Sequence, residues 1–315
     1  MLSNRPENTL AILIGIGEFD KMDDLHKCEN SAIEFERILL DKNYLGLPPE
    51  NVKRLCKKKD GHNLTNIVDW IRNIIGDVSD RKKNGKQVID TIIYYYSGHG
   101  DTASDKKLYL YAKDTSPKDL SQTGIEYENE KNKLSGVVKK IIFILDCCYS
   151  GAAQGLKETI NLDIDATYSI IYSSASFQRS FFNQFPEYTN FSHVLFELIN
   201  KGMTNPFNPF ITISDIGNYL NIAFLDKPDQ TPNVKGIQTM LAHKLFNNIK
   251  YNLDSVEEKL NSVEISERKI GIDHFYNILE NYKKEELSLN AGRIKHITQK
   301  LFQEVYNNEI NDQIF

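Results

Sequence analysis

Along roughly the first 245 residues, short unbroken apolar runs alternate with apolar stripes of helical period. Leu10 to Ile16 (LAILIGI) is such a run, and it suits a central parallel strand covered on both faces. Cys28, Ala32, Phe35 and Leu39 share one helical face and predict a helix starting near Asn30 or Ser31. Val52 to Cys56 gives a weaker strand, and Ile67, Trp70, Ile71, Ile74 and Ile75 mark a helix packed on a sheet. Val88 to Tyr96 is β-branched and aromatic, hence strand, and stops at Ser97-Gly98-His99-Gly100. Leu108 to Tyr111 reads as a short extra strand. Lys140 to Leu145 is another buried strand and runs into Asp146-Cys147-Cys148-Tyr149-Ser150-Gly151. Tyr168 to Ser173 follows as strand, then helices around Phe191 to Ile199 and Ile213 to Leu225.

Strand, helix, strand in this order predicts an α/β/α sandwich with a mainly parallel central sheet. The texture changes past Asn248. Leu253, Val256, Leu260 and Val263, then Phe275, Ile278, Leu279 and Tyr282, then Ile294, Ile297, Leu301 and Val305 repeat at helical spacing. The chain therefore divides into an α/β domain over 8–245 and a small C-terminal helical module over 249–315.

Composition narrows the function. Among 315 residues, 40% are hydrophobic and 26% charged, as in globular proteins. A net charge of −5 gives no electrostatic case for nucleic acid. No apolar stretch approaches the ~20 residues that cross a bilayer, so no membrane partner is expected. Four cysteines, two of them adjacent, make no disulfide framework and point to a reducing, cytoplasmic setting.

Two strands end in reactive side chains, one in His99 and one in Cys148. In a parallel α/β sheet the ligand crevice lies beyond those carboxyl ends. Side chains alternate along a strand, so Asp146 and Cys148 share a face and Cys147 turns into packing. A thiol beside an imidazole is a better nucleophile than a thiol alone. Zinc is disfavoured, because Cys147 and Cys148 are adjacent and Cys28 and Cys56 lack paired partners. Gly15-Ile16-Gly17 opens a dinucleotide-type loop, but position 20, where the third glycine belongs, is Asp20.

Tyr96-Ser97-Gly98-His99-Gly100 resembles the histidine motif of caspases, metacaspases and paracaspases. Asp146-Cys147-Cys148-Tyr149-Ser150-Gly151 is similar to the metacaspase cysteine motif, aspartate-x-cysteine-x-serine-glycine. The spacing 148 − 99 = 49 is close to the ~50 residues of caspases. Ser173-Ser174-Ala175 and the Phe191-Ser192 helix start are looser matches, and the resemblance covers roughly 8–245. It implies a caspase-like fold and a cysteine endopeptidase acting on polypeptides. Cys148 would be the nucleophile, His99 the acid–base partner, and the backbone N–H groups of Gly100 and Cys148 the oxyanion donors.

Asp146 and Ser97 match the positions with which metacaspases line a pocket for a basic P1 side chain. Cys28 opens the family's first-helix motif, cysteine-x-asparagine-aspartate. Here that motif reads Cys28-Glu29-Asn30-Ser31, so the second pocket carboxylate is missing. Cleavage after Arg, ahead of Lys and not after Asp, is the expectation. Asp101, Asp105 and Asp114 lie where many metacaspases bind calcium, but without EF-hand spacing, and neither calcium nor another cofactor is expected. By analogy with caspase-like proteins of bacterial stress and antiviral defence, residues 249–315 are expected to sense an activating partner or a small signalling molecule. The alternative is a catalytically idle caspase-like scaffold that serves in binding.

Overall fold

The computed structural model describes residues 5–56, 62–154, 167–174, 185–203, 210–227 and 229–248, and, between 257 and 301, residues 257, 259–264, 266–269, 271–272, 275–276 and 294–301. Contacts divide the chain into two compact units, Met1–Asn200 with Thr212–Phe246, and Lys201–Ile211 with Asn247–Phe315.

In chain order the elements are β1 (Thr9–Gly15), α1 (His26–Leu40), β2 (Val52–Leu55), α2 (Leu64–Lys83) and β3 (Thr91–Ser97). A small hairpin layer follows, made of β4 (Gly100–Thr102), β5 (Leu108–Leu110), a short helix α3 (Leu120–Thr123) and β6 (Ile125–Glu126). Then come α4 (Tyr127–Ser135), β7 (Lys140–Asp146), β8 (Thr167–Tyr172), α5 (Asn190–Lys201), β9 (Phe210–Thr212), α6 (Ile213–Ala223) and β10 (Asn233–Gly236).

Six strands form one sheet in the order β10-β8-β7-β3-β1-β2. All neighbours run parallel except the antiparallel edge pair β10–β8. Every residue of β1 and β3 is buried, as the unbroken apolar runs require of strands covered on both sides. Alternation divides the work between the two faces. Leu10, Ile12, Tyr94, Tyr96 and Phe143 join Ile67, Ile71, Ile74 and Val78 of α2 and Tyr127 of α4 in one cluster. On the opposite face Tyr95 meets Phe35 of α1 at 5.0 Å between ring centroids, and Phe35 stacks on Phe196 of α5 at 5.8 Å. Each fully buried aliphatic or aromatic side chain contributes about 1.5–3 kcal/mol by leaving water. The result is a three-layer α/β/α sandwich with a mostly parallel sheet.

One helix start departs from the sequence expectation. The first helix begins at His26 rather than at Asn30 or Ser31. Its start is fixed by the backbone, with Leu25 N–H donating to the Gly17 carbonyl at 2.6 Å and Cys28 N–H to Leu25 at 2.8 Å. Ser31 instead donates its hydroxyl to the Lys27 carbonyl one turn back, at 2.8 Å. At α6 the cap matches the sequence chemistry. Thr212 accepts from Asp215 N–H at 3.1 Å, and Asp215 accepts from Thr212 N–H at 2.8 Å, a reciprocal capping box.

Within the second unit, Leu260, Phe275 and Ile297 are buried together, with Ile272, Ile294 and Leu301 packed against them. Val263, expected on the same apolar stripe, is 95% exposed. The helical turn ends at Leu260, and Val263 falls in a bend beyond it. Leu253, Val256, Ile278, Leu279, Tyr282 and Val305, also expected on that module's stripes, lie outside the described residues. Among the described residues, no helix is long and apolar enough to cross a membrane.

Candidate active site

The site lies at the carboxyl ends of β3 and β7. These neighbours are parallel and in register, with Ser97 opposite Asp146. Two residues beyond each partner come His99 and Cys148. The ladder continues past the strand ends, since Gly98 N–H donates to the Asp146 carbonyl at 3.2 Å. The two loops touch at Gly100, where an added Cβ would lie 2.9 Å from Cys147 Sγ and 3.0 Å from the Cys148 carbonyl. Only glycine fits that approach.

The histidine turn is held from beneath by Tyr96. Its hydroxyl lies 2.7 Å from the His99 carbonyl and 2.8 Å from the Tyr111 carbonyl, its one proton shared between them, and accepts from Tyr111 N–H at 3.0 Å. The His99 ring stands edge-on to Phe19, with centroids 4.6 Å apart, and lies 6.0 Å from Tyr111. Its Nε2 is 2.9 Å from the Asp23 carbonyl. A carbonyl can only accept, so Nε2 carries the proton and, in the neutral ring, Nδ1 keeps its lone pair. Burial pushes the His99 pKa below its ordinary value, and the Asp23 carbonyl partly opposes that shift.

The two adjacent cysteines part company as strand alternation requires. Cys147 is fully buried in the apolar cluster, where burial drives its thiol pKa well up. Cys148 is only half-buried. The turn that carries it contains Tyr149 in the left-handed region, φ +55°. For a residue other than glycine that costs roughly 1–2 kcal/mol, which neighbouring bonds must offset. Buried serines provide those bonds. Ser150 Oγ accepts from the N–H groups of Ser173 at 3.2 Å and Ser174 at 3.1 Å, and Gly151 N–H donates to the Ser174 carbonyl at 2.8 Å.

Asp146 is 0% exposed. One carboxylate oxygen, Oδ2, accepts from Ser192 at 2.6 Å, from Ser97 at 3.4 Å and from Thr189. The other, Oδ1, has no hydrogen-bond partner among the described residues. Burial raises the carboxyl to about 6, against the lowering effect of those hydroxyls. Cys28 is buried beside it. Burial first, and then the Asp146 charge, push the Cys28 thiol up. Glu29 packs on Gly17, where an added Cβ would meet its Cγ at 2.8 Å.

Of the acidic residues after His99, Asp101 and Asp105 are engaged in local turns, and Asp114 holds the start of α2. Asp101 accepts from Thr102 N–H at 2.7 Å, Asp105 from Lys107 N–H at 3.0 Å and Tyr109 OH at 2.9 Å, and Asp114 from Leu64 N–H at 2.8 Å. Among the described residues, no group of three or more His, Cys, Asp or Glu side chains could hold a metal ion.

Sequence reasoning missed the roles of three contributors, although Ser192 had stood out as part of the Phe191-Ser192 helix start. The Asp23 contact is made by a backbone carbonyl, which no side-chain motif reveals. Thr189 and Ser192 lie more than forty residues from Asp146 in the chain and reach it only through the fold.

The caspase domain family model matches residues 8–238. No curated protein matches the chain. Among solved structures, it is similar to a protein from Geobacter sulfurreducens, with a TM-score of 0.54 and 15% identity over 75% of this chain and 97% of that one. It is also similar to caspase-1 from Spodoptera frugiperda, with a TM-score of 0.50 and 17% identity over 77% of this chain and 90% of that one. At such identities the structural likeness is one of fold. The family match spans well over half of the sequence, and the chain accordingly belongs to the caspase domain family, whose fold is of the cysteine-peptidase type.

Proposed function

We propose that this protein is a cysteine endopeptidase that cleaves polypeptides after basic residues, with Cys148 and His99 as its catalytic dyad. The observation that carries this reading is the in-register pair Ser97–Asp146, which sets an imidazole and a half-buried thiol two residues beyond the ends of neighbouring strands. In the reaction the Cys148 sulfur attacks the scissile carbonyl and its proton passes to His99. The imidazolium then protonates the leaving amine, and water hydrolyses the thioester with His99 as base.

The N–H groups of Gly100 and Cys148 are the oxyanion donors. Strand pairing supports the first. Tyr111 N–H donates to the His99 carbonyl at 3.1 Å, which makes 99 and 111 a hydrogen-bonded pair. The next pair, Gly100 and Leu110, is then the non-bonded kind, and Gly100 N–H turns away from β5.

For specificity, Ser97, Cys28 and Asp146 form the floor of the P1 pocket. Asp146 Oδ1, buried without a donor among the described residues, is the group that an arginine or lysine head would satisfy. Because Oδ2 is already occupied by three hydroxyls, recognition runs through a single oxygen rather than a two-oxygen clamp. Residues 249–315 act as the regulatory module that couples an activating partner or small signalling molecule to cleavage, in keeping with a stress or antiviral-defence effector.

A panel of fluorogenic peptides differing only at P1 tests the reading, with wild type and Cys148→Ala compared. Release after Arg or Lys that disappears in Cys148→Ala is the expected result. Selective release after Asp would overturn the specificity, and no release by the activated wild type from any peptide would overturn the protease assignment.

A further inference from the structure

Ser173 and Ser174, at the end of β8, converge on the carbonyl oxygen of Cys147. Their hydroxyls donate to it at 3.0 Å and 3.1 Å. All three residues are fully buried. The donors are themselves fixed, because Ser150 Oγ holds the N–H groups of both serines, and Gln230 Nε2 donates to the Ser173 carbonyl at 3.1 Å. A carbonyl that takes two hydroxyl protons in the interior cannot turn over without breaking both of those bonds.

That carbonyl belongs to the planar peptide unit joining Cys147 to Cys148. In a trans peptide the C=O and the following N–H point in opposite directions. Pinning the Cys147 oxygen therefore aims the Cys148 N–H. We infer that Ser173 and Ser174 are positioning residues of the reaction, which hold the 147–148 peptide so that its N–H serves the oxyanion. This role depends on the chain being a protease. Neither serine touches substrate, and neither is asked to change the reactivity of the thiol.

Alkylation of Cys148 by iodoacetamide displaces iodide from a saturated carbon and generates no oxyanion. Acylation by a peptide passes through one, so the two reactions separate aiming of the N–H from reactivity of the sulfur. Ser173→Ala and Ser174→Ala, singly and together, are compared with wild type for kcat and KM on the best P1 peptide, affinity for the matching peptidyl aldehyde, iodoacetamide alkylation rate, and melting temperature. Each single variant is expected to lose about 5–10-fold in kcat, and the double variant to approach the ~10²–10³-fold cost of an absent oxyanion donor. KM and alkylation rate should change less than about twofold, while aldehyde affinity falls in step with kcat.

Unchanged kcat in the folded double variant would overturn the inference. So would alkylation falling in parallel with kcat in the single variants, which would mark a general collapse of the turn. A wild type that hydrolyses no peptide but alkylates normally would refute the protease reading instead, and aldehyde affinity would then no longer follow the serines.

Discussion

Ser97 and Asp146 are direct register partners on β3 and β7, and the Ser97 hydroxyl lies 3.4 Å from Asp146 Oδ2. Because side chains alternate along each strand, this one pairing sets the direction of the next residues at both strand ends. His99 and Cys148 inherit the same offset, and Cys147 is turned to the opposite, apolar face. The candidate chemistry is thus a consequence of sheet register, and a slip by one residue would bury the wrong cysteine.

The first prediction separates the two cysteines. Cys148→Ala should abolish peptide hydrolysis, by at least ~10⁴-fold, with melting temperature almost unchanged, since the side chain is only half-buried. Cys147→Ser should do the reverse. A hydroxyl placed in the apolar cluster costs about 1–3 kcal/mol in stability, with residual activity in the folded fraction. Denaturant titration beside a rate assay decides it, and loss of activity from Cys147→Ser alone would reverse the assignment.

Gly98→Ala tests the support under the histidine turn. A Cβ there would lie 2.6 Å from the Tyr96 hydroxyl, which cannot retreat without losing its bonds to His99 and Tyr111. Destabilisation of about 1–3 kcal/mol is expected, together with a fall in kcat. Tyr96→Phe combined with Gly98→Ala should relieve the clash and recover part of the stability.

Much of the fold was legible in the sequence. The runs LAILIGI and KIIFIL, and most of Val88 to Tyr96, read as fully buried strands because both of their faces are covered; the third strand begins only at Thr91, past Asp90, and Val88 is exposed. Their alternation with helical stripes gives the parallel sheet and places reactive residues at its carboxyl edge. Less visible was α4, whose nine residues include a buried Glu130 and only Tyr127 and Leu134 as buried apolar contacts, too few for a stripe. The edge strand β10 carries Val234 between exposed polar neighbours and is held mainly by its ladder to β8. The site's supports were hidden for a different reason. The Asp23 carbonyl, Thr189 and Ser192 act through long-range geometry, which residue type does not encode.

The Asp146 carboxyl, raised to about 6 by burial, predicts pH-dependent selectivity. Above that value it is ionised and attracts a guanidinium; below, it is neutral and does not. The ratio of kcat/KM for P1-arginine to that for the uncharged isostere citrulline should therefore fall as pH drops through about 6. Taking a ratio cancels the titration of His99, which both substrates share. Asp146→Asn should show a small ratio at every pH, and a wild-type ratio that stays flat across roughly pH 5 to 8 would remove Asp146 from the pocket.

His243 makes a prediction about stability rather than catalysis. Its side chain is buried, its Nε2 has no hydrogen-bond partner among the described residues, and burial together with the Lys140 charge lowers its pKa from 6.5 to about 4, Asp90 opposing weakly. The unfolded chain thus takes up a proton near pH 6.5, whereas the folded protein refuses it until about pH 4. Between those values the unfolded state binds more protons, so stability is complete above pH 6.5 and is lost as the pH falls towards 4. A shift of this size corresponds to at most about 3 kcal/mol. Urea midpoints measured from about pH 7.5 to 4.5 should decline for wild type. In His243→Gln, which cannot take up the proton, the decline should be shallower by that amount, and parallel pH curves for the two proteins would show that His243 is not the group being titrated.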